Sequence, residues 1–254
     1  MDIAVLVKAV PSATEAPAFT DAYRLRRDGE IVLDPGDEYG VEVALQIAEA
    51  EGATVTYVTM GPESAPAALR KALAMGGDGS VHVVDPALAG ADALVTARVL
   101  AAALGRGAFD LVVAGVESTD GYTGTVPMAI AEFLGIPSVS FARKVELTDG
   151  RLRVQRQTAA GYDVIECELP ALVTVTTAAA EPRYPTLKGI MQAKQKPLDV
   201  LSLADLGIDA GGAAATQRVE TVEAAPERPA GEVVVDDGGG AARIADFLKE
   251  AAVI

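Results

Sequence analysis

The chain has 254 residues, half of them apolar, and a formal net charge of −15. That length holds one large domain or a domain with an extension, with ample apolar content for a core. The acidic balance excludes a general nucleic-acid binder, which needs a broad basic face, and a single cysteine, Cys167, excludes an internal disulfide framework, a zinc ribbon and a cysteine-ligated iron–sulfur cluster.

Met1 leads into the short apolar run Ile3–Lys8, a first strand preceded by Asp2. The run lacks the positive n-region, long h-region and cleavage site of a secretory leader, so none is expected. Further strands read at Thr54–Met60, Ser80–Val84, Asp110–Val116 and Ser138–Phe141. Between them lie amphipathic, Ala/Leu-rich helices at Tyr39–Glu51, Ala65–Met75, Ala91–Leu104 and Val126–Leu134. Short, Val-rich strands that are apolar on both faces predict an α/β fold: a mostly parallel, twisted sheet with helices on both faces.

The texture then changes. Lys144–Thr148, Leu152–Gln157 and Asp163–Leu169 alternate apolar and polar residues around Asp149-Gly150 and Ala160-Gly161. They predict marginal antiparallel hairpins, after which Ala171–Thr176 returns to the main sheet. From Pro182 to Leu198 the chain carries Arg183, Lys188, Lys194 and Lys196 and no acidic residue. Within that basic stretch Leu187, Ile190 and Met191 have the 3–4 spacing of one helical face. The structural alternative is a surface helix packed on its own domain; the lysine border favours a docking surface. Residues 210–232 are rich in Ala, Gly, Glu and Pro and read as an extended arm. A last helix, Ala241–Ala252, carries Ile244, Phe247, Leu248 and Ala251 as its apolar stripe. No stretch of ~18 apolar residues occurs, so no membrane insertion is expected.

Two loops can carry chemistry. Gly115, Val116, Glu117, Ser118, Thr119, Asp120, Gly121, Tyr122, Thr123, Gly124, Thr125 and Val126 follow a buried strand and open a helix. Small residues let backbone N–H groups approach an anion, and the following helix N-terminus adds partial positive charge. The position is the carboxyl end of a parallel strand, where open α/β sheets bind ligands. A phosphate or nucleotide loop and a tight strand-to-helix turn with Thr125 as N-cap both fit. The loop is neither a Walker A sequence nor a G-x-G-x-x-G fingerprint. Asp34, Pro35, Gly36 and Asp37 precede the first long helix; the two aspartates suit helix capping or a ribose or adenine hydrogen bond, capping being favoured. Met60-Gly-Pro62 ends a strand. His82, alone on a strand, reads as structural, and Cys167 as a packed thiol. No Ser/His/Asp set, paired-carboxylate site or metal cluster assembles.

These stretches together resemble the beta subunit of electron transfer flavoprotein. The similarity runs from Val5–Pro11 through Asp34–Glu42, Met60–Pro62, Arg70–Asp78, Gly115–Pro127 and Leu169–Val175 to Glu181–Lys194. It implies a Rossmann-like, adenine-nucleotide-binding domain at 1–198, including a recognition loop at 181–197. It also implies a C-terminal arm and helix at 199–254, docking on an alpha subunit. The resemblance implies a heterodimer whose alpha subunit holds most of an FAD and whose beta subunit binds a structural AMP. The AMP positions fall on Leu6, Asp34–Asp37, Met60 and Gly115–Val126. Partner-binding positions fall on Leu187 as anchor with Lys188, Ile190, Met191, Lys194 and Lys196. Acyl-CoA dehydrogenases are the implied electron donors and electron transfer flavoprotein–quinone oxidoreductase the acceptor, in cytoplasmic fatty acid beta-oxidation. Such a subunit is a carrier, not an enzyme, with no catalytic acid, base or nucleophile of its own.

The chain departs from the family pattern in places. Gly36 stands where many members carry an aromatic residue, Lys188 where proline is frequent after the anchor. Tyr122, Gly124 and Thr125 differ from the common acidic and glutamine pattern. Two rival readings stay open: a bifurcating electron transfer flavoprotein with a second FAD in the AMP site, and a stand-alone universal-stress-type nucleotide-binding module.

Overall fold

A computed structural model describes every residue except Glu15, Asp149, Ala210, Ala224, 227–230 and Glu232. Asp149, expected in a hairpin turn, and parts of the arm expected at 210–232 therefore lie outside the described residues. The strands are β1 (Asp2–Leu6), β2 (Ala9–Pro11), β3 (Ile31–Leu33), β4 (Thr54–Met60), β5 (Gly79–Val83), β6 (Leu111–Gly115), β7 (Ser138–Thr148), β8 (Arg151–Thr158), β9 (Gly161–Glu168), β10 (Ala171–Val175) and β11 (Leu198–Leu201). The helices are α1 (Pro35–Glu51), α2 (Pro66–Met75), α3 (Ala93–Leu104), α4 (Val126–Leu134), α5 (Leu187–Ala193) and α6 (Gly240–Glu250).

Nine strands form one sheet in the order β11-β5-β4-β1-β6-β10-β7-β8-β9. Pairing is parallel from β11 to β7 and antiparallel through β8 and β9, as the alternating patterns predict. Successive strands β1, β4 and β5 run outward on one side; the chain then crosses back to place β6 on the other side of β1. The switch point of the sheet therefore lies between β1 and β6. Alternating side chains feed two cores. Ile3, Val5, Tyr57 and Val113 pack with Val41 and Leu45 of α1 and Leu69 and Leu73 of α2. Ala4, Leu6, Val58 and Val112 pack with Leu100 and Leu104 of α3 and Ile130 of α4. Helices thus cover both faces, the doubly wound arrangement expected for two-faced apolar strands.

Three local features differ from the sequence expectation. Helix α1 starts at Pro35, earlier than Tyr39, because Asp34 caps it by accepting from the Gly36 N–H and proline suits the first turn. The segments read as two strands, Ser138–Phe141 and Lys144–Thr148, are one strand, β7. Its first part pairs parallel to β10 and its second antiparallel to β8. The register shifts near Phe141, whose φ is 58° and whose N–H donates to Thr174 Oγ1 at 3.0 Å; such a bulge lets one strand serve both ladders. The edge strand β11 and the two-stranded pair β2–β3 are too short to announce themselves by alternation.

Contacts divide the described chain into Met1–Val219 and Glu220–Ile254. Residues 199–219 belong with the first unit, where Thr216 donates from its N–H and hydroxyl to Asp92 Oδ2. In the second unit α6 leaves Ile244 and Phe247 exposed. Among the described residues no helix is long and apolar enough to cross a membrane.

Candidate functional site

The crevice at the β1/β6 switch point brings together the residues after β1, the N-terminus of α1 and the loop from β6 to α4. Asp34, fully buried, organises it. Its Oδ1 accepts from the Gly36 N–H at 2.9 Å, and its Oδ2 accepts from the Thr119 N–H at 2.7 Å and hydroxyl at 2.9 Å. One carboxylate therefore caps α1 and pins the β6–α4 loop. Asp37, also buried, accepts from the Lys8 N–H at 2.7 Å. Burial, and then the charge of Asp34, pushes its carboxyl well above the usual range, against the pull of the Lys8 and Gly115 N–H groups and the Lys8 charge. Both aspartates are spent within the protein, so capping is the role the geometry gives Asp34.

The close approach of α1 to the loop depends on small residues. A Cβ on Gly115 would sit 2.8 Å from Asp37 Oδ1 and 3.4 Å from the Gly36 carbonyl. At Gly36 itself a Cβ would meet Asp34 Oδ1 at 3.3 Å and the Glu117 carbonyl oxygen at 3.6 Å. That position is tight against the cap. The left-handed backbone at Tyr122 (φ 48°) and Gly124 (φ 60°) turns the loop back toward α4 and leaves the Tyr122 ring exposed. Thr125 stands at the N-cap position of α4, yet its hydroxyl makes no capping bond. Met60 lies at the carboxyl end of β4, beside the Gly61 carbonyl that bonds buried His82 Nε2 at 3.0 Å.

A cation cluster missed by the sequence reading borders this crevice. Lys8 Nζ donates to Asp120 Oδ1 at 2.6 Å and to Ser118 Oγ at 3.1 Å. Arg27, from the β2–β3 connection, pairs with the other Asp120 oxygen and donates to the Ala9 carbonyl at 2.9 Å. The Asp120 side chain is only 4% exposed. Burial alone would raise its carboxyl, but Lys8 and Arg27 hold it below the usual range. The signal for Lys8 was available: a lysine ending an apolar strand points at the ligand edge of the sheet. Arg27 had no local signal, because its partner lies 93 residues away.

The second candidate site is α5. Gly189 sits so close to α2 that a Cβ there would be 2.2 Å from the Ala74 carbonyl oxygen, and Ala193 is buried against the same core. This contact face turns the apolar triad outward: Leu187 is 77% exposed, Met191 66% and Ile190 48%. Lys188 and Lys194 are exposed around it. The other two cations of the segment turn inward. Arg183 Nε donates to Glu42 Oε2 at 2.7 Å and Arg183 also pairs with Glu49. Burial would raise the Glu42 carboxyl, but Arg183 and Gln46 more than offset it. Lys196 Nζ donates to the carbonyls of Leu73 at 2.8 Å and Gly76 at 3.3 Å.

A family model described as the electron transfer flavoprotein domain matches residues 24–206. The chain is 41% identical over 264 aligned residues to "Electron transfer flavoprotein subunit beta" of Mycobacterium tuberculosis (strain ATCC 25618 / H37Rv), covering 100% of this chain and 99% of that protein. It is 36% identical to the protein of the same name in Bacillus subtilis (strain 168), over 92% of this chain and 91% of the relative. The Megasphaera elsdenii protein of that name is 32% identical over 98% and 97% of the two chains. The family model over residues 24–206, the relatives matched along the whole chain and the doubly wound sheet agree: the chain belongs to the electron transfer flavoprotein family, as a beta subunit.

Proposed function

We propose that this chain is the beta half of a heterodimeric electron carrier that takes electrons from acyl-CoA and related dehydrogenases and delivers them to an electron transfer flavoprotein–quinone oxidoreductase. The observation that carries the reading is α5: an apolar triad turned to solvent by a glycine contact behind it, with Lys188 and Lys194 at its border. Buried apolar anchors supply affinity at such contacts and rim charges supply steering. Leu187 is the anchor, and Ile190 and Met191 flank it. Lys196, tied to α2, acts from behind the surface.

The β1/β6 crevice suits a structural AMP. The N-terminus of α4 lacks a side-chain cap, and exposed Thr123 and Thr125 lie beside it; uncapped helix N–H groups favour a phosphate. Backbone from Leu6, Pro35–Asp37, Met60 and Gly115–Val126 would surround the nucleotide, with Asp34 and Asp37 holding the loops. FAD, held mainly by the alpha subunit, supplies the redox chemistry. This chain's residues bind, orient and select partners, and none acts as acid, base or nucleophile. Co-expression with an alpha subunit, an absorbance spectrum and nucleotide extraction test the reading. One FAD and one AMP per heterodimer, with flavin reduced by an acyl-CoA dehydrogenase, are the expected result. Two FAD and no AMP would assign the bifurcating form, and a colourless complex without AMP would overturn the reading.

A further inference from the structure

Helix α5 has seven residues, of which only Ala193 is buried. A helix that short does not persist in water unaided, and one buried alanine adds little hydrophobic stabilisation. Beside the close Gly189 contact with α2, polar ties on both sides hold it in place. Before it, the Arg183 fork reaches Glu42 with Nε at 2.7 Å and Nη2 at 3.1 Å, and the Arg183 N–H donates to Glu42 at 3.1 Å. The same guanidinium reaches Glu49 Oε2 at 3.2 Å. Glu42 and Glu49 lie two turns apart and so share one face of α1. Glu42 is buried, and a buried carboxylate needs such a partner. After α5, Lys196 donates to the Leu73 and Gly76 carbonyls at the end of α2, acceptors that the helix itself leaves open. The segment is thus referenced to two core helices, one at each end.

We propose that Arg183 and Lys196 are positioning residues, a two-ended clamp that presents Leu187, Ile190 and Met191 in a fixed pose to an apolar pocket on the dehydrogenase. The proposal rests on the docking role of α5 given above. It changes the part played by two of the four cations: they are struts, and only Lys188 and Lys194 remain as rim. A surface ordered beforehand loses less entropy on binding, so the clamp acts on affinity for the partner and not on the flavin.

The test uses the co-expressed heterodimer with Arg183→Lys, Lys196→Gln and Leu187→Ala. Amide hydrogen exchange is followed across 183–196, with KM and kcat for reduction by a medium-chain acyl-CoA dehydrogenase and the flavin spectrum. Arg183→Lys keeps the charge but loses the fork, so a change in it does not come from lost steering. Both clamp variants are expected to speed α5 exchange about ten-fold or more. They should raise KM about ten-fold with kcat within about two-fold, and leave the spectrum unaltered. Unchanged exchange in both overturns the clamp. So does a KM rise in Lys196→Gln that vanishes with added salt while exchange stays slow, which would make Lys196 a rim charge. Unchanged KM in Leu187→Ala with fast exchange in Arg183→Lys overturns the docking reading and, with it, the functional half of the proposal. A raised KM in Leu187→Ala with slow exchange in the clamp variants overturns the clamp alone.

Discussion

Gly189→Ala sets two effects of known size against each other. Alanine is favoured over glycine in a helix interior by about 1 kcal/mol, so propensity alone predicts a more stable α5. The added Cβ, however, would lie 2.2 Å from the Ala74 carbonyl oxygen and 3.3 Å from its carbon. A tolerable C···O contact is about 3.3 Å, so α5 must withdraw by about 1 Å. The atoms in the way are backbone within a helix and do not yield as a side-chain tip would. Overpacking of this kind costs about 1–3 kcal/mol. Withdrawal also stretches the Lys196 bonds to Leu73 and Gly76, now 2.8 and 3.3 Å, beyond useful range. The clash therefore wins, with a net loss of about 1–2 kcal/mol. At about 2–4 °C per kcal/mol for a domain of this size, the melting temperature should fall by about 2–8 °C. Calorimetry of the heterodimer measures it, and the KM for dehydrogenase should rise in parallel because the triad is displaced. A melting temperature equal to or above that of the wild type would show that propensity wins and that the α5–α2 contact is not tight.

Leu187→Ala should leave the melting temperature and FAD content unchanged, since the side chain is 77% exposed. It should raise KM for the dehydrogenase about 30-fold, from about 2 kcal/mol of lost apolar burial, and an unchanged KM would remove Leu187 as anchor. Asp34→Ala deletes the acceptor for the Gly36 N–H and for both Thr119 donors. A loss of about 3 kcal/mol and depletion of extracted AMP are expected, and wild-type AMP content would contradict the proposed cradle. Asp92 accepts from Val95, Thr216 and Gln217. The Val95 N–H first, then the Thr216 hydroxyl and the Thr216 and Gln217 N–H groups, hold its carboxyl down at about 2 despite some burial. Because the folded value lies below the unfolded one, its stabilisation is present above the ordinary carboxylate range and is lost as pH falls toward 2. Asp92→Asn should flatten that acid limb of a denaturation series, and an unaltered acid limb would contradict the link.

The fold was legible where one face or both faces of an element are buried over many residues. The strands β4, β6 and β10 and the helices α2, α3 and α4 stand within a residue or two of their expected positions, because the periods of 2 and 3.6 report burial directly. What stayed hidden depends on pairs far apart in the chain. Nothing near Arg27 announces Asp120, and nothing near Thr119 announces Asp34. The loop Gly115–Val126 was visible as a small-residue stretch after a strand. That its geometry is set by a carboxylate 85 residues earlier was not.

The α5 segment shows the same limit from another side. Spacing alone places Leu187, Ile190 and Met191 on one helical face, but it does not say whether that face looks inward or outward. Apolar stripes usually look inward. Here the decision falls to Gly189 and Ala193, whose small size lets the opposite face approach α2 to a distance no larger residue permits. Two close backbones leave room on that side for nothing as large as leucine, so the triad is forced out. The charges then follow from where the backbone lies: Arg183 and Lys196 end beside Glu42 and the open carbonyls of α2, whereas Lys188 and Lys194 end in solvent. Composition makes the whole segment one basic patch. Geometry divides it into two cations that build the surface and two that border it.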